Sequence, residues 1–206
     1  MYREFNPSYA FVLIEQGPLI LITTHDDEEG DNVFPLTWSA ALNFDSGEHN
    51  ILISTGAWNH SYKTIEKTHR LTLNIPIYSQ MRRAILCGSV SFSECPDKFE
   101  KFNLTNLPGH KNKAPIIKGC AGYIECELAK EYPQDSLLIL NTLSVGLDTT
   151  NFRKPKIHAI GDGTFTIDGK IINGRDWMGD KVPDNTRNEE YEEFAKLPKV
   201  SRKLDS

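Results

Sequence analysis

The chain has 206 residues, 39% of them apolar and 25% charged, enough to bury a core in one domain of ordinary soluble composition. Its formal net charge of −5, with no run of four or more Lys/Arg, excludes the basic footprint of a nucleic-acid-binding protein; Arg153, Lys154 and Lys156 cluster, but around a proline in a turn that reads as a solvated loop. No apolar run approaches bilayer length, and the N-terminal MYREFNPSYAFVLIEQG lacks a long apolar segment and a small-residue cleavage site, so a cytoplasmic protein with no membrane association is expected.

Pro18 to Thr24 (PLILITT) predicts a strand buried on both faces. The acidic HDDEEGDN that follows predicts a solvated hairpin turn, without the D-x-D-x-D-G spacing of a calcium loop. Asn32 to Ala41 predicts a second strand, with Pro35 marking an edge or a bulge. A turn at Asn43 to Gly47 leads to a third strand, Asn50 to Thr55. Three strands joined by short turns indicate an antiparallel meander and not βαβ units.

Asn59 to His69 places Tyr62, Ile65 and His69 at helical spacing, with Asn59 or Ser61 as N-cap. Two readings stand for this helix start: an anion site made of free backbone N–H groups, hydroxyls and Lys63, or a plain cap with a solvated lysine. Arg70 to Pro76 alternates as a fourth strand, and Tyr78 to Leu86 predicts a short helix. The small-residue loop Cys87 to Ser93 either faces a ligand or packs tightly. Ser91-x-x-Glu94 has capping-box spacing, but Pro96 and Asp97 are the better start, for a helix over Asp97 to Phe102.

Leu104 to Ala114 reads as a polar turn region. Cys120 to Tyr132 and Ser136 to Asp148 predict a hairpin of long strands around Pro133-Gln134-Asp135. Six strands with few helices favour a closed barrel over an open sheet. Phe165 to Ile172 predicts a further hairpin turned at Asp168-Gly169; beyond Asn173 the chain is polar, with a surface helix expected at Asn185 to Lys196 and a frayed end from Leu197. The four cysteines, Cys87, Cys95, Cys120 and Cys126, form no Cys-x-x-Cys and have no His-x-x-x-His beside them, which argues against a zinc site. Free thiols are expected, with Cys120 and Cys126 as small buried hydrophobes.

Taken in order, PLILITT, NVFPLTWSAALNFD, ILIST, NHSYKTIEKTHRLTLNIP, CGSVS with DKFEKFNLT, and KAPIIKGCAGYIECEL resemble the flavin reductase-like family, including its flavoredoxin-type members. The resemblance covers Pro18 to Leu128 well and the remainder loosely. It implies a mainly β fold, a six-stranded antiparallel split β-barrel with a few short helices, binding FMN and forming a homodimer with the cofactor near the subunit interface. Residues 1–173 would be the barrel domain and 174–206 a polar C-terminal extension.

By the same resemblance, Thr37, Trp38, Ser39 and Ala40 would line the flavin ring, with Ser54 and Thr55 near the ribityl chain and phosphate. Asn59, His60, Ser61, Lys63 and Thr64 would hold the phosphate, and Asn74 matches the strand end before a proline. Cys87, Gly88, Ser89, Val90 and Ser91 match a loop along the cofactor, followed by Asp97, Lys98 and Phe99. His158 sits where some members place a histidine over the flavin face, and Cys87 would be a thiol near it. The chain departs from the family at Ser46-Gly47-Glu48, where a Pro-Pro pair is common, and at Ser91-Phe92-Ser93, where Ser-Gly-Arg is common.

The activity so implied is that of an FMN-dependent oxidoreductase. Electrons would pass from NAD(P)H through the flavin to a second acceptor: free flavin, a ferric chelate, a disulfide or a protein. Two alternatives remain at this level, an FMN-binding electron carrier without its own NAD(P)H site, and a barrel for another small ligand. The chain has no Rossmann G-x-G-x-x-G after a strand, which leaves the carrier reading open.

Overall fold

The computed structural model describes residues 17–42, 48–160 and 163–169. Seven strands form one antiparallel sheet: β1 (Ile20–Asp26), β2 (Gly30–Leu36), β3 (Ser39–Ala41), β4 (Ile51–Ser54), β5 (Arg70–Ile75), β8 (Gly122–Tyr132) and β9 (Leu137–Leu147). Their order is β2-β1-β5-β8-β9-β4-β3. The helices are α1 (His60–Thr68), α2 (Met81–Leu86), preceded by a 3₁₀ turn at Tyr78–Gln80, and α3 (Lys98–Lys101). Two small ribbons complete the fold: β6 (Asn106–Leu107) with β7 (Ile116–Ile117), and β10 (Ile157–Ala159) with β11 (Phe165–Ile167).

The strand order explains why the sheet curls. β2 and β3 occupy its opposite edges, yet only Thr37 and Trp38 separate them in the chain. So short a link spans roughly 10 Å at most, so the two edges must meet there. The Ser54 N–H donates to the Trp38 carbonyl at 2.9 Å at that corner. The single strand expected over Asn32 to Ala41 is therefore two half-strands serving both edges, and counting them as one gives the six strands of the split barrel. Pro35 lies on β2, an edge strand that pairs only with β1, the position in a sheet where a residue without an N–H is tolerated.

Alternation along the strands sorts two cores. Ile20 and Ile22 of β1 face Leu71 and Leu73 of β5, Cys126 of β8 and Leu138 and Leu140 of β9, and α1 adds Tyr62 and Ile65 to that cluster. Leu19 and Leu21 point the other way, with Val33, against Ala84 of α2, Cys87, Leu104, Ile117 and Ile157. β1 is buried on both faces, as its continuous apolar run predicts.

A polar layer fastens residues 104–118 across the outside of β1, β5 and β8. Thr72 Oγ1 donates to the Ala114 carbonyl at 3.1 Å, and Asn74 Oδ1 accepts from the Ile117 N–H at 2.8 Å. One oxygen of the buried Glu125 accepts from the amides of His110, Lys111 and Asn112 at 2.7, 2.8 and 3.2 Å. The polar turn expected over Leu104 to Ala114 thus contains a short strand and is anchored to the sheet.

Two other expectations change. Asp26, assigned to a solvated acidic turn, is 3% exposed; it accepts from the Glu28 and Glu29 amides and pairs with Lys67 of α1 at 2.8 Å. α1 ends one residue early, at Thr68, because His69 takes a left-handed φ of 54°. Phe165 to Ile167 pairs backward with Ile157 to Ala159; the second strand expected beyond Asp168-Gly169 lies outside the described residues. Contacts divide the chain into two units, Met1–Ile167 and Asp168–Ser206. The turn at Asn43 to Gly47 and the helix expected at Asn185 to Lys196 lie outside the described residues. All four cysteines are buried free thiols.

Candidate functional site

The corner that closes the barrel is also one wall of a groove of about 750 Å³, within the usual range for small-molecule sites. Phe34, Pro35 and Leu36 from the end of β2, Trp38 from the corner, Ile85 of α2 and Trp58 make it largely apolar. Trp38 is 53% and Trp58 78% exposed. Polar groups converge at the β4–α1 connection: Ser54, Thr55 and Asn59 line the groove, and Asn59 Nδ2 donates to Thr55 Oγ1 at 3.2 Å.

Asn59 is the N-cap of α1 by backbone geometry, but its side chain makes no capping hydrogen bond. Ser61 does not cap either; its hydroxyl accepts from Asn32 Nδ2 at 2.9 Å. The first-turn amides are thus left for an outside acceptor, beside three groove-lining polar side chains, which is the arrangement that holds a phosphate. Gly88, also in the lining, lies directly against Pro35, where a Cβ would stand 2.4 Å from Pro35 Cγ. A flat ring with an anionic end fits this donor set: apolar walls for the ring, and amides and hydroxyls for the anion.

Of the residues singled out from sequence, Thr37, Trp38, Ser54, Thr55, Asn59, Gly88 and Ser89 line the groove. Ser39 and Ala40 continue along edge strand β3, and the Ser39 N–H is already bonded to the Thr37 carbonyl at 3.1 Å. His60 stacks on Phe92 with centroids 4.2 Å apart and lies 3.2 Å from Glu29 Oε2. Lys63 is exposed, and Thr64 is buried with its hydroxyl donating to the His60 carbonyl.

Several of the singled-out residues lie elsewhere for clear reasons. Asn74 is fully buried; its amide donates to the Leu21 carbonyl and Thr23 Oγ1, which makes it a clasp between β1, β5 and β7. Cys87 is fully buried and donates to the Ala84 carbonyl, and burial pushes its thiol up to about 12, so it packs and is no reactive thiol beside the groove. Val90 is half-buried, and Ser91 is exposed and bound to Glu94, whose carboxylate accepts from the Ser91 N–H and hydroxyl in a turn instead of a helix. Asp97 is the exposed N-cap residue of α3, Lys98 is 3% exposed with Nζ donating to the Val33 carbonyl at 3.3 Å, and Phe99 packs on the outer core. His158 lies opposite Thr166 in the β10–β11 ribbon and does not line the groove, although its neighbour Ala159 does.

The sequence missed Gly56, Trp58, Ser136, Ala159, Thr164 and Phe165. Gly56-Ala57-Trp58, a glycine two residues before an aromatic just ahead of a helix start, was the available signal; the Trp58 ring fills the space beside Gly56 that a Cβ would take. Ser136 arrives through tertiary pairing alone, its carbonyl accepting from the Thr55 N–H at 2.9 Å.

A second cavity, about 780 Å³, runs between the β1–β2 turn, the end of α1 and residues 110–114. Its charges largely neutralise one another, Lys67 with Asp26 and Glu28 and Lys113 with Asp27, and His25 Nδ1 lies in hydrogen-bond contact with Asp31 Oδ1 at 2.7 Å. Arg70, also in its lining, pairs with Glu127.

A split barrel whose closing corner builds an apolar groove ending at an open helix N-terminus defines a class of small-ligand-binding β proteins. Comparison with known proteins narrows it. The flavin reductase like domain model matches residues 15–162, and the chain belongs to that family. Flavoredoxin of Desulfovibrio vulgaris (Miyazaki F) superposes with a TM-score of 0.68 at 21% identity, over 77% of this chain and 90% of that one. The FMN-binding domain of a flavin reductases-like enzyme from Shewanella baltica superposes with a TM-score of 0.67 at 20% identity, over 82% and 95%. An uncharacterized protein of Pyrococcus abyssi is 27% identical over 127 residues, 61% of this chain and 70% of that protein.

Proposed function

We propose that the protein binds FMN in the groove and acts as an oxidoreductase, carrying electrons from NAD(P)H through the bound flavin to a second acceptor. The supporting observation is that flat apolar walls and an uncapped α1 N-terminus flanked by Ser54, Thr55 and Asn59 meet in one groove. Bound flavin would supply the hydride and electron chemistry. The chain's own residues have three tasks. The first-turn amides of α1 with Thr55 and Asn59 hold the phosphate, and Lys63 adds a solvated positive charge nearby. Pro35 and Gly88 hold two lining segments together, and Trp38 and Trp58 shield an aromatic ring from water.

A homodimer is part of this proposal. Trp38, Trp58, Val145 and Leu147 are large apolar side chains at 53%, 78%, 58% and 41% exposure, more apolar surface than an isolated barrel gains from showing to water. Four buried free thiols suit a reducing compartment, which supports a cytoplasmic protein.

The test is FMN titration followed by anaerobic stopped-flow mixing of the loaded protein with NADH or NADPH. Saturable quenching of FMN fluorescence and rapid bleaching support the oxidoreductase. Quenching without bleaching points to an electron carrier, and no saturable quenching sinks the proposal.

A further inference from the structure

The stack of His60 on Phe92 joins two segments that line the groove. His60 is the first residue of α1 and directly follows Asn59; Phe92 is three residues beyond Ser89, no more than roughly 10 Å of chain. Neither ring is itself part of the lining. Their centroids lie 4.2 Å apart and their planes 8° apart, the geometry of an offset stack. His60 Nε2 lies 3.5 Å from Thr64 Oγ1, which lays the ring along the first turn of α1, and 3.2 Å from Glu29 Oε2 of the β1–β2 turn. The side-chain hydrogen bonds of Ser91, Ser93 and Glu94 stay inside their own loop, and the Phe92 ring ties that loop to α1. The helix, the loop and the β1–β2 turn thus meet at the start of α1.

A phosphate seated on the first-turn amides of α1 comes to rest beside this stack, because the His60 N–H is one of those amides. A mononucleotide ends at that phosphate. A dinucleotide continues through a second phosphate, a ribose and a base. It would have to part the two rings and bring added negative charge toward Glu29, whose side chain is half-exposed. Such a clash and like-charge contact discriminate against the longer ligand without weakening the shorter one. We propose that the His60–Phe92 stack is the end wall of the groove and selects a flavin mononucleotide over a flavin dinucleotide. This inference rests on the FMN-binding proposal. The two side chains are specificity-determining residues that act by occupying the space beyond the phosphate.

The experiment is equilibrium dialysis of the full chain against FMN and, separately, FAD, for wild type, Phe92→Ala and His60→Ala. Parting an aromatic stack of this kind should leave the wild type holding FMN about tenfold more tightly than FAD. Each alanine variant removes one ring and should bring the two affinities within about threefold of each other. The variants open the wall from opposite sides, so misfolding of one leaves the other to decide. The ratio of the two affinities is the readout, since a general loss of stability would weaken both flavins alike. A wild-type chain that holds FAD as tightly as FMN, or alanine variants that keep the wild-type ratio, overturns the inference and leaves FMN binding intact. A wild-type chain that holds neither flavin fails the earlier proposal instead.

Discussion

Gly88→Ala tests the groove most directly. Gly88 does not have a left-handed φ, so its backbone accepts any residue. The consequence is steric: an added Cβ would stand 2.4 Å from Pro35 Cγ and 2.9 Å from Pro35 Cδ. Carbon contacts settle at about 3.5 to 4.0 Å, so the shortfall is on the order of 1 Å. Proline is rigid and sits on a paired strand, so relief comes from moving the two lining segments apart. Overpacking of this kind costs about 1–3 kcal/mol. Borne by the binding equilibrium, that is roughly a tenfold to hundredfold loss of FMN affinity. Fluorescence quenching measures the affinity, and urea unfolding of the apo chain measures any share borne by stability. Gly30→Ala is the control: φ there is +86° with nothing within 4 Å of a new Cβ, so it should lose about 1–2 kcal/mol of stability to backbone strain and leave FMN affinity alone. If Gly88→Ala bound FMN as the wild type does, at an unchanged urea midpoint, the wall assignment would be wrong.

Other consequences follow from the same geometry. Asn74→Ala orphans the buried Ile117 N–H and Leu21 carbonyl, and should cost about 1–3 kcal/mol in urea unfolding while FMN affinity stays within twofold. The Lys67 hydrogen bond, then the Glu28 amide, lowers Asp26 from 3.8 to about 2. Because the folded value is the lower one, the stabilisation is present above about 4 and is lost as the pH falls toward 2; Asp26→Asn should flatten that part of a urea-midpoint profile against pH. Tyr62 is raised from 10.0 to about 12, first by burial and then by its hydrogen bond to Glu131. Its stabilisation is present below pH 10 and disappears as the pH rises toward 12, a loss that Tyr62→Phe should remove from the alkaline limb. Burial also pushes Cys87, Cys120 and Cys126 up to about 12, so a thiol reagent at pH 8 should label them only after unfolding; prompt labelling of the native chain would contradict their burial.

Local chemistry was enough to draw most of the elements. Period-two alternation marked β5, β8 and β9, Pro133-Gln134-Asp135 marked the turn between the long strands, and Asn59 marked the start of α1. The order of those pieces was enough to reach the family. Alternation says which residues share a face, but not what that face meets, because the partner across a barrel is set by chain closure far away in sequence. That is why Asn74, one residue before the end of β5, reads as a ligand contact and turns out to clasp β7, and why the burial of Lys98 against the Val33 carbonyl has no sign in its neighbours. It is also why Ser136 and Phe165 reach the groove without any local sign. Strand identity, helix starts and the approximate site follow from neighbours within a few residues. The split of Asn32 to Ala41 between two sheet edges, and with it the groove, exists only once a link of two residues forces those edges together.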